Sequence, residues 1–453
     1  MSRASVAPAA QAPDTASASW QGIWRLSWPL VLTMVSNAAM GLLETWVAGH
    51  FGSVEQAVVG LTMQLVLLIN ALTTAVAIGA QALVSRFVGA GDWPEAGHAA
   101  RQAVLLGLTL SLVLLPLVWL AAPGLFALLG APDAVQRAGT PYLRSLLAGV
   151  LPMDVTIVLL AVLRARGLSL GLLGTAAAEN AVWMAGSLGL GLGLGLGLGG
   201  LAVGFVMGKA CGLAVAWAIF SRMRLYREAQ GGWRPVRAWF ARLLRIGFPS
   251  ALQVLMRNVG MMSFFGILSL LPGPTAVVAA FSIGMRVEAV AFLPCFALNI
   301  AAATLVGQNL GAGRPEEAQR ATWRVAAVGI VVMSAFALVF WLGAEVLAAR
   351  FTTDPVVRGH VADYLRVAAI SEPFLALAMV LNGALQGAGD ARAPMWSVLL
   401  FQLMLRVPLG YLLAVPLGWG TSGAWWAMTV SMVAQGLGIT WYFKLGHWRH
   451  LRV

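Results

Sequence analysis

Nine charged residues stand where charge is expensive. Glu44, Asp154, Glu179, Lys209, Arg257, Arg286, Glu288, Glu372 and Arg406 each interrupt a run of apolar residues. If those runs lie in a bilayer, insertion scales put about 2.5–3.5 kcal/mol on an Arg, Lys or Asp at a helix centre, so such side chains face a bundle interior or a water-filled cavity. A carboxylate withdrawn from water is relieved by taking up a proton or pairing with a cation. Glu44, Glu288 and Asp154 are therefore the candidates for ion coupling, with protons or sodium as the partner. Glu44 lies in NAAMGLLETWVAGHFG, toward the end of the first apolar run. Arg286 and Glu288 are two residues apart, about 200° around a helix, so each needs its own partner. Arg286, Gln64, Glu179, Asn180, Gln402, Arg257, Asn258 and Glu372 form the candidate set for a polar cleft that binds substrate. Glu372 precedes Pro373, a place where a kink frees backbone groups that need partners. Lys209 and Arg406 read as braces that neutralise neighbouring acids.

No catalytic constellation accompanies these charges. There is no GxxxxGK[ST] phosphate loop, and neither HExxH nor GxSxG stands in a suitable setting. Cys211 and Cys295 both fall in apolar runs and read as core residues rather than a disulfide or metal pair. No cofactor and no metal site is implied, and the chain is not expected to be an enzyme.

The elements that must position the charges follow from composition. Of 453 residues, 60% are hydrophobic and 10% charged, against about 25% charged in soluble domains. Apolar runs long enough to cross a bilayer recur along the whole chain. The fold class is an all-α polytopic membrane protein with twelve transmembrane helices. The spans read as 24–48, 57–84, 99–122, 138–163, 168–192, 201–222, 244–270, 276–304, 320–345, 358–385, 393–415 and 421–444. Residues 1–19, rich in Ala, Ser, Pro and Gln, read as a disordered tail. SLGLGLGLGLGLGG, from Ser187, reads as the thin end of span five and its turn.

The net charge of +12 is explained by the positive-inside rule rather than by nucleic acid. Twenty of the 29 Lys and Arg residues fall in the N-terminus, the loops after even-numbered spans and the C-terminus; five fall in the opposite loops. Both termini are thus expected to be cytoplasmic in a multi-pass protein of the plasma (inner) membrane, in contact with membrane lipid. The domain reading is a cytoplasmic tail at 1–19, a six-helix bundle at 20–221, a basic cytoplasmic linker at 222–245, a second six-helix bundle at 246–445 and a tail at 446–453.

The two bundles are copies. LVSRFVGAGDWPEA (Leu83–Ala96) aligns without a gap to LVGQNLGAGRPEEA (Leu305–Ala318) at an offset of 222, and the same offset pairs Tyr142-Leu143-Arg144 with Tyr364-Leu365-Arg366, Asn180 with Gln402 and Gln64 with Arg286. Even-numbered halves give two parallel repeats about an axis along the membrane normal, with a shared cleft between them. A monomer is expected. The glycines of the two blocks read as the turn leaving a membrane helix. The paired Asn180 and Gln402 are expected to line the cleft from both sides.

VGQNLGAGRPEEAQRA after span eight, its weaker twin after span two, ETWVAGHFG in span one and LQGAGDARAP after span ten resemble the signature segments of the multidrug and toxic compound extrusion (MATE) family. The resemblance covers residues 20–445. It implies a V-shaped pair of six-helix bundles that exports small organic compounds, amphipathic and often cationic, by alternating access against inward proton or sodium flow. The family's first-span acid is usually Asp in D-x-x-x-x-G; here Glu44 occupies that place ahead of Gly49. The span-seven acid of one branch is not evident in MMSFFGILSLL, and Arg286 and Glu288 in span eight are the expected substitutes. A lipid-linked saccharide flippase of related architecture is the alternative, for which a strongly basic cleft is expected. A membrane-embedded enzyme or receptor is a more distant one.

Overall fold

The computed structural model describes residues 19–451 except Gly231. The expected N-terminal tail, apart from Ser19, lies outside the described residues. All regular structure among the described residues is helical: α1 Trp20–Gly49, α2 Ser53–Ala90, α3 Trp93–Leu128, α4 Asp133–Arg166, α5 Ser169–Gly186, α6 Gly197–Arg222, a short α7 Arg224–Glu228, α8 Arg237–Leu268, α9 Pro274–Gly311, α10 Pro315–Phe351, α11 Pro355–Gly387, α12 Arg392–Ser397, α13 Arg406–Ala414 and α14 Gly420–Leu445. A π-helical segment, Ser187–Gly193, extends α5, and another, Val398–Leu405, joins α12 to α13. Counting these joined helices once and leaving out α7, the spans number twelve. Ten of them are long and apolar enough to cross a membrane, with Arg392–Ala414 acting as one. The other two, α5 with its π extension and α14, carry polar residues such as Glu179, Asn180 and Gln435.

Helix ends follow local chemistry. Asp92 caps α3 by accepting from Glu95 N at 3.1 Å, and Asp354 caps α11 by accepting from Val356 N at 2.8 Å. Proline stands in the first turn of α3, α9, α10 and α11, where its missing N–H costs nothing. Several helices begin before the apolar run does. α8 starts at Arg237, and Trp239 and Leu243 in its first turns are buried; amphipathic first turns are invisible to a search for apolar spans.

The two halves are parallel repeats that form a V. Each lends the start of its first helix to the other: Trp239, Leu243 and Ile246 of α8 pack in the core of the first half, and Ile23 and Leu26 of α1 pack in a core of the second. The hydrogen bonds that join the halves cluster at one end. Gln81 Nε2 donates to the Ile300 carbonyl and to Thr304 Oγ1, both at 3.3 Å. Thr304 Oγ1 donates to the Arg164 carbonyl at 3.2 Å, and Gln308 Nε2 to the Ala165 carbonyl at 2.8 Å. Arg86 reaches the Ala388 carbonyl at 3.3 Å. This closed apex carries the basic loops.

The duplicated glycine blocks meet at that apex, and their glycines divide the work differently from the expectation. Only Gly91 (φ 75°) and Gly313 (φ 69°) are left-handed and make the turn. Gly89 and Gly311 lie within the helices, against backbone of the opposite half: a Cβ on Gly89 would overlap the Gln308 carbonyl, and one on Gly311 the Arg86 carbonyl. Gln308 is Arg86 displaced by the repeat offset of 222, so the two contacts are one contact seen twice. The first glycine of each G-A-G, Gly89 and Gly311, is there for close helix crossing, the use small residues have in membranes.

Between α6 and α8 the chain lies on α3. Gln102 fixes it from both sides, donating to the Arg234 carbonyl at 2.7 Å and accepting from Val236 N at 2.9 Å. At the other terminus Trp448 is fully buried and stacks on Phe443 with centroids 4.6 Å apart.

Candidate coupling sites and central cavity

The two carboxylates put first for coupling both meet a tyrosine, and it is the same tyrosine of the repeat. Glu44 on α1 is 1% exposed; its Oε1 accepts from Tyr142 Oη at 3.1 Å, and Oε2 has no hydrogen-bond partner among the described residues. Glu288 on α9 accepts from Tyr364 Oη at 2.5 Å. Tyr142 and Tyr364 occupy equivalent places on α4 and α11, and both are buried. The acids are not equivalent: Glu44 comes from the first helix of its half and Glu288 from the second of its own. A buried tyrosine hydroxyl needs a partner, and each half has provided one from whichever neighbouring helix carries the acid.

Each pocket also has a cation near it. Lys209 on α6 pairs with Glu179 on α5, its ammonium above the rings of Trp183 (4.7 Å) and Phe205 (5.2 Å), and acts electrostatically on Glu44. In the second half Arg406 Nε donates to Ser431 Oγ at 2.9 Å and acts on Glu288. Glu372 on α11 is 1% exposed, with neither carboxyl oxygen hydrogen bonded; it faces Glu288 and Cys295 electrostatically. Asp154 lies apart from these groups. It is buried between α4 and α3, accepting from Ser111 Oγ at 2.5 Å.

The central cavity lies between the halves, above the closed apex. Its volume is about 400 Å³. Positions related by the repeat line it together: Thr74 with Phe296, Ile78 with Ile300, Ile157 with Met379, and Arg164 with Gln386. The cavity therefore sits on the axis that relates the halves. α8 adds Ser250, Gln253, Val254 and Arg257 from one side only.

Of the expected cleft residues, Arg257 alone lines this cavity. Asn258, about 100° further around α8, is exposed and does not. Arg286 and its repeat mate Gln64 are both exposed on α9 and α2, outside the cavity lining. Glu288 turns to Tyr364 instead, so Arg286 and Glu288 do part company as their spacing required. Asn180 and Gln402 do not face one another across the cleft. Asn180 donates to Ser36 Oγ (2.9 Å) and Asn37 Oδ1 (3.0 Å), tying α5 to α1. Gln402 donates to Gln435 Oε1 at 2.8 Å, and Gln435 continues to Ser397. Both are buried inside their own halves, because an amide at membrane depth is satisfied most cheaply by the next helix. Glu179 is consumed by Lys209. Sequence reasoning missed Tyr142 and Tyr364, which stood out only as markers of the repeat. It also missed Arg164, which falls just past the apolar run of span four, and the amides Gln81, Asn299, Asn382 and Gln386.

A family model for MatE matches residues 29–182 and 249–412, one segment in each half. The chain belongs to the MatE family. It is similar to the probable multidrug resistance protein NorM of Thermotoga maritima, 23% identical over 428 residues that cover 94% of this chain and 92% of the relative. It is also similar to the probable multidrug resistance protein NorM of Pseudomonas aeruginosa, 29% identical over 449 residues, 96% and 90% of the two chains. Among solved structures, an outward-facing conformation of a multidrug resistance MATE family transporter superimposes with a TM-score of 0.86 at 21% identity, over 95% of this chain and 96% of that one. The Vibrio cholerae MATE transporter VcmN in its bent form gives 0.87 at 20% identity, over 93% and 95%. As a MatE member the chain is a multi-pass membrane transporter of the multidrug efflux family, not an enzyme, and the family handles small organic substrates.

Proposed function

We propose that the chain is a secondary active antiporter that exports amphipathic organic compounds in exchange for protons, by alternating access. The observation that carries this reading is the pair of carboxylates, buried Glu44 and half-buried Glu288, each hydrogen bonded to the equivalent tyrosine of its half. A proton needs one carboxylate oxygen, and Glu44 Oε2 is free to receive it. Hard cations such as calcium and magnesium, by comparison, surround themselves with six or more oxygen ligands, and the Lys209 ammonium already acts on Glu44. Protonation removes the charge that Glu44 brings into the first half and weakens its hold on Tyr142. That is a change in one half that can bias the V between its two openings.

In this reading both termini and the closed apex are cytoplasmic in the plasma (inner) membrane, as the basic loops favour, and the chain works as a monomer with its cleft open outward. The halves are the bundles at 20–221 and 246–445, joined by the basic linker at 222–245. Asp154 and Glu372 are the further acids of the two halves, and membrane lipid surrounds the whole. The experiment is dye efflux from proteoliposomes with an imposed pH gradient in one set and a sodium gradient in another, with Glu44→Gln beside the parent. Efflux that follows the pH gradient and is lost in Glu44→Gln is the expected result. Efflux driven by sodium alone overturns the proton assignment and keeps the exporter. A second reading, a flippase for lipid-linked saccharides, is favoured by one observation only: arginines in the central cavity.

A further inference from the structure

Among the described residues, Arg257 and Arg164 are the charged residues of the cavity lining, and no Asp or Glu shares it. They come from opposite halves, Arg257 on α8 and Arg164 on α4. Among the described residues neither guanidinium has an ion-pair or hydrogen-bond partner, and Arg164 Nε is buried without one. Lys209, by contrast, has Glu179. Arg257 is exposed and Arg164 half-buried, so Arg257 is open to a ligand in the cavity, while the buried Nε of Arg164 is a donor whose missing partner carries a cost that an anion would relieve. Asn382, 8% exposed, also lines the cavity; its unpartnered Oδ1 is an acceptor and would take a donor group of the ligand rather than its acidic group. Neutral polar side chains such as Gln81, Gln253 and Asn299 share the lining, and Ile78, Ile157, Phe296, Ile300 and Met379 supply its apolar surface. A volume of about 400 Å³ is within the range for drug-sized ligands.

Resting on the transporter reading, we propose that the cavity takes an amphipathic organic anion, its acidic group held between Arg257 and Arg164 and its apolar body against Phe296 and Met379. Guanidinium forks recognise carboxylate, sulfonate and phosphate groups with paired hydrogen bonds. Because the two arginines belong to different halves, the anion is a bridge between them: it binds best in the state that brings both arginines to the cavity. That gives the substrate a differential affinity for the two openings of the V, which alternating access requires.

The test uses the full-length protein in detergent, with fluorescence anisotropy of 5-carboxyfluorescein (anionic) and ethidium (cationic). Parent protein is expected to bind carboxyfluorescein more tightly than ethidium. Arg257→Gln is expected to weaken that binding about ten- to a hundredfold, the range for loss of a charged hydrogen bond, and Arg257→Lys to restore part of it. Arg257→Glu should reverse the preference toward ethidium. Thermal unfolding of each variant separates loss of the site from loss of the fold. Farnesyl pyrophosphate, a soluble lipid pyrophosphate, runs as competitor. Displacement at concentrations below the carboxyfluorescein Kd assigns the anion to a lipid pyrophosphate; weaker displacement assigns it to free organic anions. The inference is overturned if ethidium binds as tightly as carboxyfluorescein and folded Arg257→Gln changes neither. If binding follows the arginines but no gradient moves the probe, the site stands and the exporter falls. If gradient-driven ethidium efflux proceeds while parent protein ignores carboxyfluorescein, the exporter stands and the site falls.

Discussion

Adding one methyl group at the apex should open it. In Gly89→Ala the new Cβ would lie 2.7 Å from the Gln308 carbonyl carbon and overlap its oxygen; in Gly311→Ala it would lie 2.8 Å from the Arg86 carbonyl carbon and overlap that oxygen. The atoms in the way are backbone, so the helices themselves must part by about 1 Å. Overpacking of this kind costs about 1–3 kcal/mol. The cost falls only on the state in which α2 and α9 cross at the apex, so the equilibrium between the two openings shifts by about 5- to 150-fold. Any gain in helix propensity from Ala, up to about 1 kcal/mol, is common to both states and cancels. Gly60→Ala is the control. It lies on the same helix with nothing within 4 Å of its added Cβ. The assay replaces Cys211 and Cys295, the two cysteines, by Ala and introduces Thr74→Cys in the cavity. The rate of modification by a membrane-impermeant maleimide is then measured from each face of the membrane. Parent and Gly60→Ala should react from the face opposite the basic loops; Gly89→Ala and Gly311→Ala should gain reactivity from the basic face. Folded glycine variants whose labelling matches the parent from both faces would refute the claim that these contacts hold the apex shut.

Lys209→Met should lower stability by about 3–5 kcal/mol by leaving Glu179 buried without its cation, and the double variant with Glu179→Gln should recover most of it; thermal unfolding in detergent reads both. Tyr364→Phe removes the hydroxyl that Glu288 accepts from and should cut pH-driven efflux severalfold with little change in melting temperature. Unchanged efflux there would take Glu288 out of the coupling scheme. Val66 is the repeat mate of Glu288 and is buried in the same cluster as Tyr142, so Val66→Glu in a Glu44→Gln background should restore part of the pH-driven efflux. A folded double variant as inactive as Glu44→Gln alone would show that the acid must come from α1.

The span count, the duplication and the burial of Glu44 were legible in the sequence because each follows from hydropathy or spacing. The destinations of the polar residues were not. Asn180 and Gln402 look alike in the repeat, yet one binds α1 and the other α14, because an amide takes whichever partner packs nearest. Arg164 reads as a loop cation, since it follows the last apolar residues of its span; only the packing of α4 against the other half turns it into a wall of the cavity. The glycine blocks announced a helix exit, and Gly91 and Gly313 make one. That Gly89 and Gly311 instead mark a crossing of two distant helices is a tertiary fact with no local sign.

The repeat explains why the two halves can act as different parts of one machine. Their scaffolds kept the tyrosine on the fourth helix, the crossing glycine and the cavity positions of α2, α4, α9 and α11. What diverged is the charge hung on that scaffold. In the first half the acid comes from α1, with an ammonium nearby that already holds a second carboxylate; in the second it comes from α9, next to an unpaired Glu372 and an arginine bound to Ser431. On the proton-coupled reading, two pockets with such different neighbours are expected to differ in proton affinity. Under a pH gradient one half can therefore change charge before the other. Each pocket is built on the fourth helix of its half, α4 or α11, and those two helices also wall the cavity, through Arg164 and Gln386. On the proton-coupled reading, a proton taken up by Glu44 or Glu288 releases the tyrosine bound to it and so acts on a helix that walls the cavity, a short connection between the driving ion and its cargo.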